Sequence, residues 1–206
     1  MSSTTAGAIG RTDAIHALVS NVVNTRYEDL SKGAVDATKT FILDEFGVAI
    51  AGTLAPGVAE TLGVLGDWGG KAESTVLVSG ERLPAPSSAM MNSFLMHNQE
   101  FDPVHDLAVV HAFTTVLPVA LAVAEAQGGV TGRELLTAVA LGVDVACAIG
   151  LSSKSPIAHF RPGTLGAFGA VAAAGKISGF DEVTLSHAMG IVYSQICGTL
   201  QPHTEG

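Results

Sequence analysis

The chain has 206 residues, enough to bury one domain-sized core. It is 48% hydrophobic but only 5% aromatic, so that core must be built from small aliphatic side chains. Ten Lys and Arg against 19 Asp and Glu leave a formal charge of −9, which excludes a general nucleic-acid binder, since phosphate recognition needs clustered cations. The first residues lack the charged start and apolar run of a secretion signal. The stretch 183–204 carries no Lys, Arg, Asp or Glu but is broken by His187, Ser194, Gln195 and Pro202, so no membrane span and a cytoplasmic location are expected.

In chain order, residues 1–10 read as a small polar, flexible tail and 11–206 as one helical domain. A short amphipathic helix opens near Thr12 with Ile15, Leu18, Val19 and Val22 on one face. A longer one follows, striped by Val35, Thr38, Ile42, Phe46 and Ala49 and ended by Gly52. Pro56 can open a third, with Val58, Leu62 and Leu65 inward and Gly69-Gly70 as its stop. Residues 75–78 are the only convincing strand.

A helix over about 87–97 leads into the polar stretch His97-Asn98-Gln99-Glu100-Phe101-Asp102-Pro103-Val104-His105, followed by Asp106 and His111. Thr114 or Thr115 is the expected cap of the next helix, with Pro118 in its first turn and Gly128-Gly129 beyond its end. Thr131 and Glu134 form a capping box for a long helix with Leu135, Val139, Gly142, Ala146 and Ile149 inward. After a loop over 151–163, Thr164 opens a helix of nearly pure Gly and Ala, which must sit tight against its neighbours. Asp181 caps the last, striped by Leu185, Met189, Val192 and Ile196. Cys147 and Cys197 both fall in apolar patterns and read as buried free thiols. The class is all-α.

Five of the seven histidines, at 97, 105, 111, 159 and 203, fall at helix ends or in loops, while His16 and His187 lie within helices. Imidazole can take and give a proton near neutral pH, so the set points to general acid–base work, with Glu100 and Asp102 orienting the rings. His97, Glu100, Asp102 and His105 also offer metal ligands. Their spacing matches no standard helix motif and Pro103 breaks regular structure there, so neither metal nor other cofactor is expected. No nucleophile motif is present. Gly163-Thr164-Leu165-Gly166, preceded by Arg161, can seat an anion at a helix start.

Residues 41–52, Phe-Ile-Leu-Asp-Glu-Phe-Gly-Val-Ala-Ile-Ala-Gly, resemble a helix of the MmgE/PrpD family. Residues 97–125 resemble that family's His-x-x-Asp-Phe-Asp-Asp-Thr-His signature and the helix after it; residues 131–150 and 163–179 follow its next two blocks. The departures are Glu100 for Asp, Pro103 for the last Asp of the run, Val104 for Thr, and Ala112 for the Pro after the second His. The resemblance implies a helical array without the family's α/β lid, so the chain is expected to be the N-terminal portion of a longer homodimeric enzyme and inactive alone. It implies catalytic roles for His111, His159, His105, Glu100 and Asp102. Substrate contacts are expected from His97, Arg161, Lys154, Gly163, Thr164 and His203. The expected function is a lyase moving a proton alpha to a carboxylate of a small di- or tricarboxylate, like 2-methylcitrate dehydratase. Alternatives are an isomerase like iminodisuccinate epimerase, an enzyme like cis-aconitate decarboxylase, or a non-catalytic helical dimerisation module.

Overall fold

A computed structural model describes residues 13–154 and 159–200; the tail expected over 1–10, and His203, lie outside them. The described residues form a mainly helical domain of eight α-helices and one two-stranded sheet. Helix α1, Ala14–Asn24, starts where the Asp13 carboxylate accepts from the Ile15 N–H. Helix α2, Lys32–Gly52, is capped in the same way by Ser31. Helix α3, Val58–Trp68, stops at Gly69, whose φ of 65° suits a residue without a Cβ.

Strand β1, Ser74–Thr75, pairs antiparallel with β2, Arg82–Leu83, so only the first residue of the expected strand lies in a ladder. Beyond it the chain bends back: Val76 N–H donates to Glu81 and Gly80 N–H to Val76, with Val78 at φ 68° between them. A run of apolar residues read as strand is thus a tight turn with a buried end.

Helix α4, Ala85–His97, precedes the polar stretch and α5, Phe113–Ala126, follows it. Neither threonine caps α5: its N-cap is Ala112, Thr114 is buried, and the Thr115 hydroxyl donates to the Ala112 carbonyl. Pro118 therefore falls in the second turn and leaves the Thr114 carbonyl without its helical donor. Helix α6, Gly132–Ser152, begins with the expected capping box, Thr131 and Glu134 bonding each other reciprocally. It is long and apolar enough to cross a membrane by length and composition, yet half of it is buried against other helices. A π-helical turn, Pro162–Gly166, runs into α7, Ala167–Ile177, and α8, Glu182–Gln195, is capped by Asp181. Cys197 lies past the end of α8 and is exposed; Cys147 alone is the buried thiol.

Helix α5 is the central member, packed by α4, α6 and α7. Met91, Leu95, Met96, Val116, Leu117, Ala120 and Val139 form the main core. A second cluster joins α1 to α6 and α8 to α7 and α1 through Val19, Val22, Val145, Ala172, Leu185 and Met189. The small residues foreseen between 164 and 175 explain how α7 reaches α6. A Cβ on Gly169 would lie 2.5 Å from the Gly142 carbonyl oxygen, and one on Gly142 would lie 2.7 Å from the Gly169 carbonyl oxygen. Gly169→Ala should therefore destabilise the fold by about 2 kcal/mol. Gly66→Ala, on exposed α3 with nothing within 4 Å of the new methyl, should stabilise it by roughly 0.5 kcal/mol. Chemical denaturation of the two variants checks the contrast.

Candidate active site

The chain between α4 and α5 is held from three sides. The Asn98 amide donates to the Gly52 carbonyl on α2 at 2.9 Å. Ala108 is fully buried against Gly150 of α6, where a Cβ would stand 2.9 Å from the Ala108 methyl. Arg161 donates through Nη1 to the Ala108 carbonyl. Two residues take the left-handed backbone conformation, Glu100 at φ 56° and Val109 at φ 49°; for a β-branched side chain this is strained.

These constraints bury the Asp102 carboxylate, whose side chain is 0% exposed, between two imidazoles. His97 Nδ1 lies 3.1 Å from both of its oxygens. His111 Nδ1 lies 3.0 Å from Oδ2. The two rings meet edge to face with centroids 5.0 Å apart, and Phe160 packs on His97 at 5.9 Å. With both Nδ1 atoms turned to Asp102, the Nε2 atoms are the ones left for a reacting molecule. His97 also borders a cleft of about 440 Å³ walled by Met90, Ser93, Phe94, Asn98, Glu100 and Phe160.

Burial alone would raise the Asp102 pKa, but the contacts with His111 and His97 outweigh it and hold the carboxyl down at about 2. The same contact raises His111 above the ordinary histidine value, against the opposing effect of its own burial. A third group belongs to this neighbourhood. Glu45 of α2 is 0% exposed with neither carboxyl oxygen hydrogen-bonded; burial first, then the charge of Asp102, push it up to about 9.

The residues expected at the site divide. Asp102, His111 and His97 come together, and Glu100 stands at the cleft edge with Oε1 3.7 Å from His97 Nε2. His105 does not join them: its Nδ1 accepts from the Ala108 N–H inside a tight turn, and its side chain lines a separate groove with Phe41, Phe113 and Cys147. His159 is exposed, bridged through its backbone to Thr199; its neighbour Phe160 is the residue that reaches His97. Lys154 is exposed past the end of α6. The stretch 163–166 is not an open helix start. The Thr164 N–H donates to Phe160, its hydroxyl is spent on the carbonyls of Phe160 and Arg161, and Gly163 abuts the Cys197 carbonyl. Glu45 was not foreseen, although its signal was present: an acid seven residues after Thr38 and four before Ala49, on a stripe with no other charged residue.

Chemically, a carboxylate shared by two imidazoles orients both rings and favours the protonated form of His111, which equips the site to give and take protons. His97, Asp102 and His111 can also hold a metal, since their ligand atoms lie within 4.8 Å of one another.

Two titration outcomes follow. Asp102→Asn removes the charge that favours the His111 imidazolium, so His111 should lose its proton at a lower pH, read by NMR of the ring. Glu45 is protonated in the folded chain up to about pH 9 but ionised above about 4.5 when unfolded, so its contribution lowers stability progressively as pH rises between those values. Glu45→Gln should flatten that slope and gain up to about 3 kcal/mol at pH 7, measured by denaturation across pH.

Compared with known proteins, residues 16–206 match the profile of the MmgE/PrpD N-terminal domain. The chain is 29% identical over 173 residues to cis-aconitate decarboxylase of Mus musculus, covering 80% of this chain and 35% of that protein. It is 26% identical over 191 residues to cis-aconitate decarboxylase of Aspergillus terreus, covering 89% and 39%, and 22% identical over 196 residues to a cis-aconitate decarboxylase-like protein of Aspergillus oryzae, covering 90% and 40%. The chain thus spans 35–40% of the length of these curated relatives.

Proposed function

The chain belongs to the MmgE/PrpD family, and on that premise we propose that it supplies the proton-transfer site of a lyase acting on a small di- or tricarboxylate. The observation that carries the reading is Asp102, buried and ionised, with an imidazole on each side. Decarboxylation is the reaction favoured, for two reasons. The relatives named above are decarboxylases or decarboxylase-like. The raised pKa of His111 also suits a step that begins with a proton donor.

When the bond to the departing carboxylate breaks, its electron pair stays on the substrate as CO2 leaves. The Nε2 proton of the His111 imidazolium then adds to the carbon bearing that pair, and the neutral ring recovers a proton from solvent. Asp102 keeps the ring oriented and stabilises its charged form, while His97 stands across the same carboxylate as a second proton carrier. Dehydration of a 2-hydroxy acid uses the same groups: one ring, neutral, takes the proton alpha to the carboxylate, the C–H electron pair forms the double bond as the C–O bond breaks, and the other ring gives its proton to the leaving hydroxyl. Arg161, next to Phe160, is the nearest cation in sequence to the cleft wall, with one guanidinium N–H committed to Ala108. In this reading the natural full-length protein is a cytoplasmic homodimer. Apolar side chains left exposed on α2 and α8, among them Leu43, Ile50, Ile191 and Tyr193, support further burial against other parts of the assembly.

The test is 1H NMR in D2O of the full-length protein with a panel of di- and tricarboxylates that includes cis-aconitate. Deuterium should enter the product at carbon, and His111→Asn should lower kcat/KM by about 100-fold or more. A protein that exchanges no C–H proton on any member of the panel would favour the dimerisation module. Zinc or iron found stoichiometrically, and lost together with activity on chelation, would replace the metal-free mechanism with a metal-assisted one.

A further inference from the structure

One buried acid has no part in the reaction as drawn, and its place in the fold is specific. Helix α2 touches the surroundings of the site at two points. The Phe41 ring packs on Phe113, two residues past His111, with centroids 5.2 Å apart. The Gly52 carbonyl accepts from Asn98, the residue after His97. Glu45 lies one turn from Phe41 and two turns from Gly52, hence on the helix face between these contacts. That face looks towards both ends of the loop carrying Asp102. The other buried side-chain atoms without a hydrogen-bond partner among the described residues are Asn98 Oδ1, His111 Nδ1 and Thr114 Oγ1, all at those same two loop ends. Packing does not account for Glu45, since an apolar side chain would fill the stripe without stranding two oxygens.

We propose that Glu45 is a positioning residue of the site, a carboxylic acid kept on the α2 face between the two loop ends so that no second buried negative charge stands beside Asp102 and the two imidazoles. The inference rests on the reading of the His97–Asp102–His111 cluster as a proton-transfer site. While Glu45 keeps its proton, Asp102, with a smaller share from the exposed Glu100, governs how tightly His111 holds its own. Once Glu45 ionises, a second buried negative charge acts on the cluster, and His111 becomes a weaker acid.

The titratable groups on the packed elements are few. Helix α4 carries only His97, and α5 only Glu125 at its far end, paired with Thr75 and Arg82. Helix α6 carries Arg133, Glu134, Asp144 and Cys147, and the loop adds Glu100, His105, Asp106 and His111. The charges that act on Glu45 are those of Asp102 and, from its own helix, Asp44, and both oppose its ionisation.

The test uses the full-length protein with 13C-labelled Glu carboxyls and 15N-labelled His rings, titrated by NMR from about pH 5 to 10. One buried Glu carboxyl should titrate on the alkaline side, and the His111 signals should respond a second time over the same interval. In Glu45→Gln the second His111 response should vanish. In the kcat/KM profile the alkaline limb of that variant should move by about one pH unit or more; its position, not the maximal rate, is the readout. Glu45→Leu serves if the amide fails to fold, and the wild-type titration decides if neither variant does. A Glu45 carboxyl that titrates below about pH 6, or a His111 curve identical in wild type and Glu45→Gln, would overturn the proposal. Coupled titration in a protein that turns over no polycarboxylate would leave this inference standing and remove the lyase reading.

Discussion

An ionised carboxylate withdrawn from water is the most demanding group in this molecule, and Asp102 is held in that state by the two rings that face it. A bare charge at such a depth would take up a proton rather than bear the loss of hydration. Its low pKa is therefore a property of the loop as a whole, because the loop must deliver His97 from one end and His111 from the other. The Asn98 bond to Gly52, the seat of Ala108 on Gly150 and the Arg161 brace hold those ends in place. The left-handed backbone at Glu100 and Val109 shows that this arrangement is not the one the loop would choose in isolation.

The helices around the loop make the burial possible by approaching closely. The Gly142–Gly169 crossing brings α6 and α7 almost backbone to backbone, and Gly166 meets the Thr115 side chain where a Cβ would stand 2.4 Å from Oγ1. Small residues at these crossings draw α7 onto the first turns of α5, just beyond His111. The low aromatic content and the buried carboxylate are thus linked: thin helices pack densely, exclude water, and strengthen whatever electrostatic contacts they enclose.

Much of this was legible in the residues. Caps such as Asp181 and the Thr131–Glu134 box are local chemistry and stand where the sequence places them. The Gly/Ala helix announced its own tight packing. The errors arose where tertiary contacts override local pattern. Thr114 and Thr115 are good caps by type, yet α5 starts earlier because Phe113 is drawn into the core and against Phe41. His105 sits in the richest polar stretch but spends its Nδ1 on its own turn, which no spacing rule reveals. Thr164, chosen as an anion contact, has its N–H and hydroxyl consumed by the preceding turn. Neither the spacing nor the family resemblance, which named Glu100, His105 and His159 beside them, separated Asp102 and His111 from their polar neighbours, since burial distinguishes them and periodicity in a loop does not report burial.

Two acids of similar intrinsic strength end in opposite states within one neighbourhood. Asp102 has imidazoles to answer its charge and stays ionised; Glu45 has none and stays neutral. The difference is set by partners more than by depth, since both side chains are buried. Each state also supports the other. The charge on Asp102 disfavours a second buried carboxylate nearby, and the neutrality of Glu45 leaves the imidazoles answering to one buried anion. A single carboxylate can fully compensate one imidazolium but not two. The loop therefore keeps its buried charge by pairing it, and α2 avoids a second one by protonation.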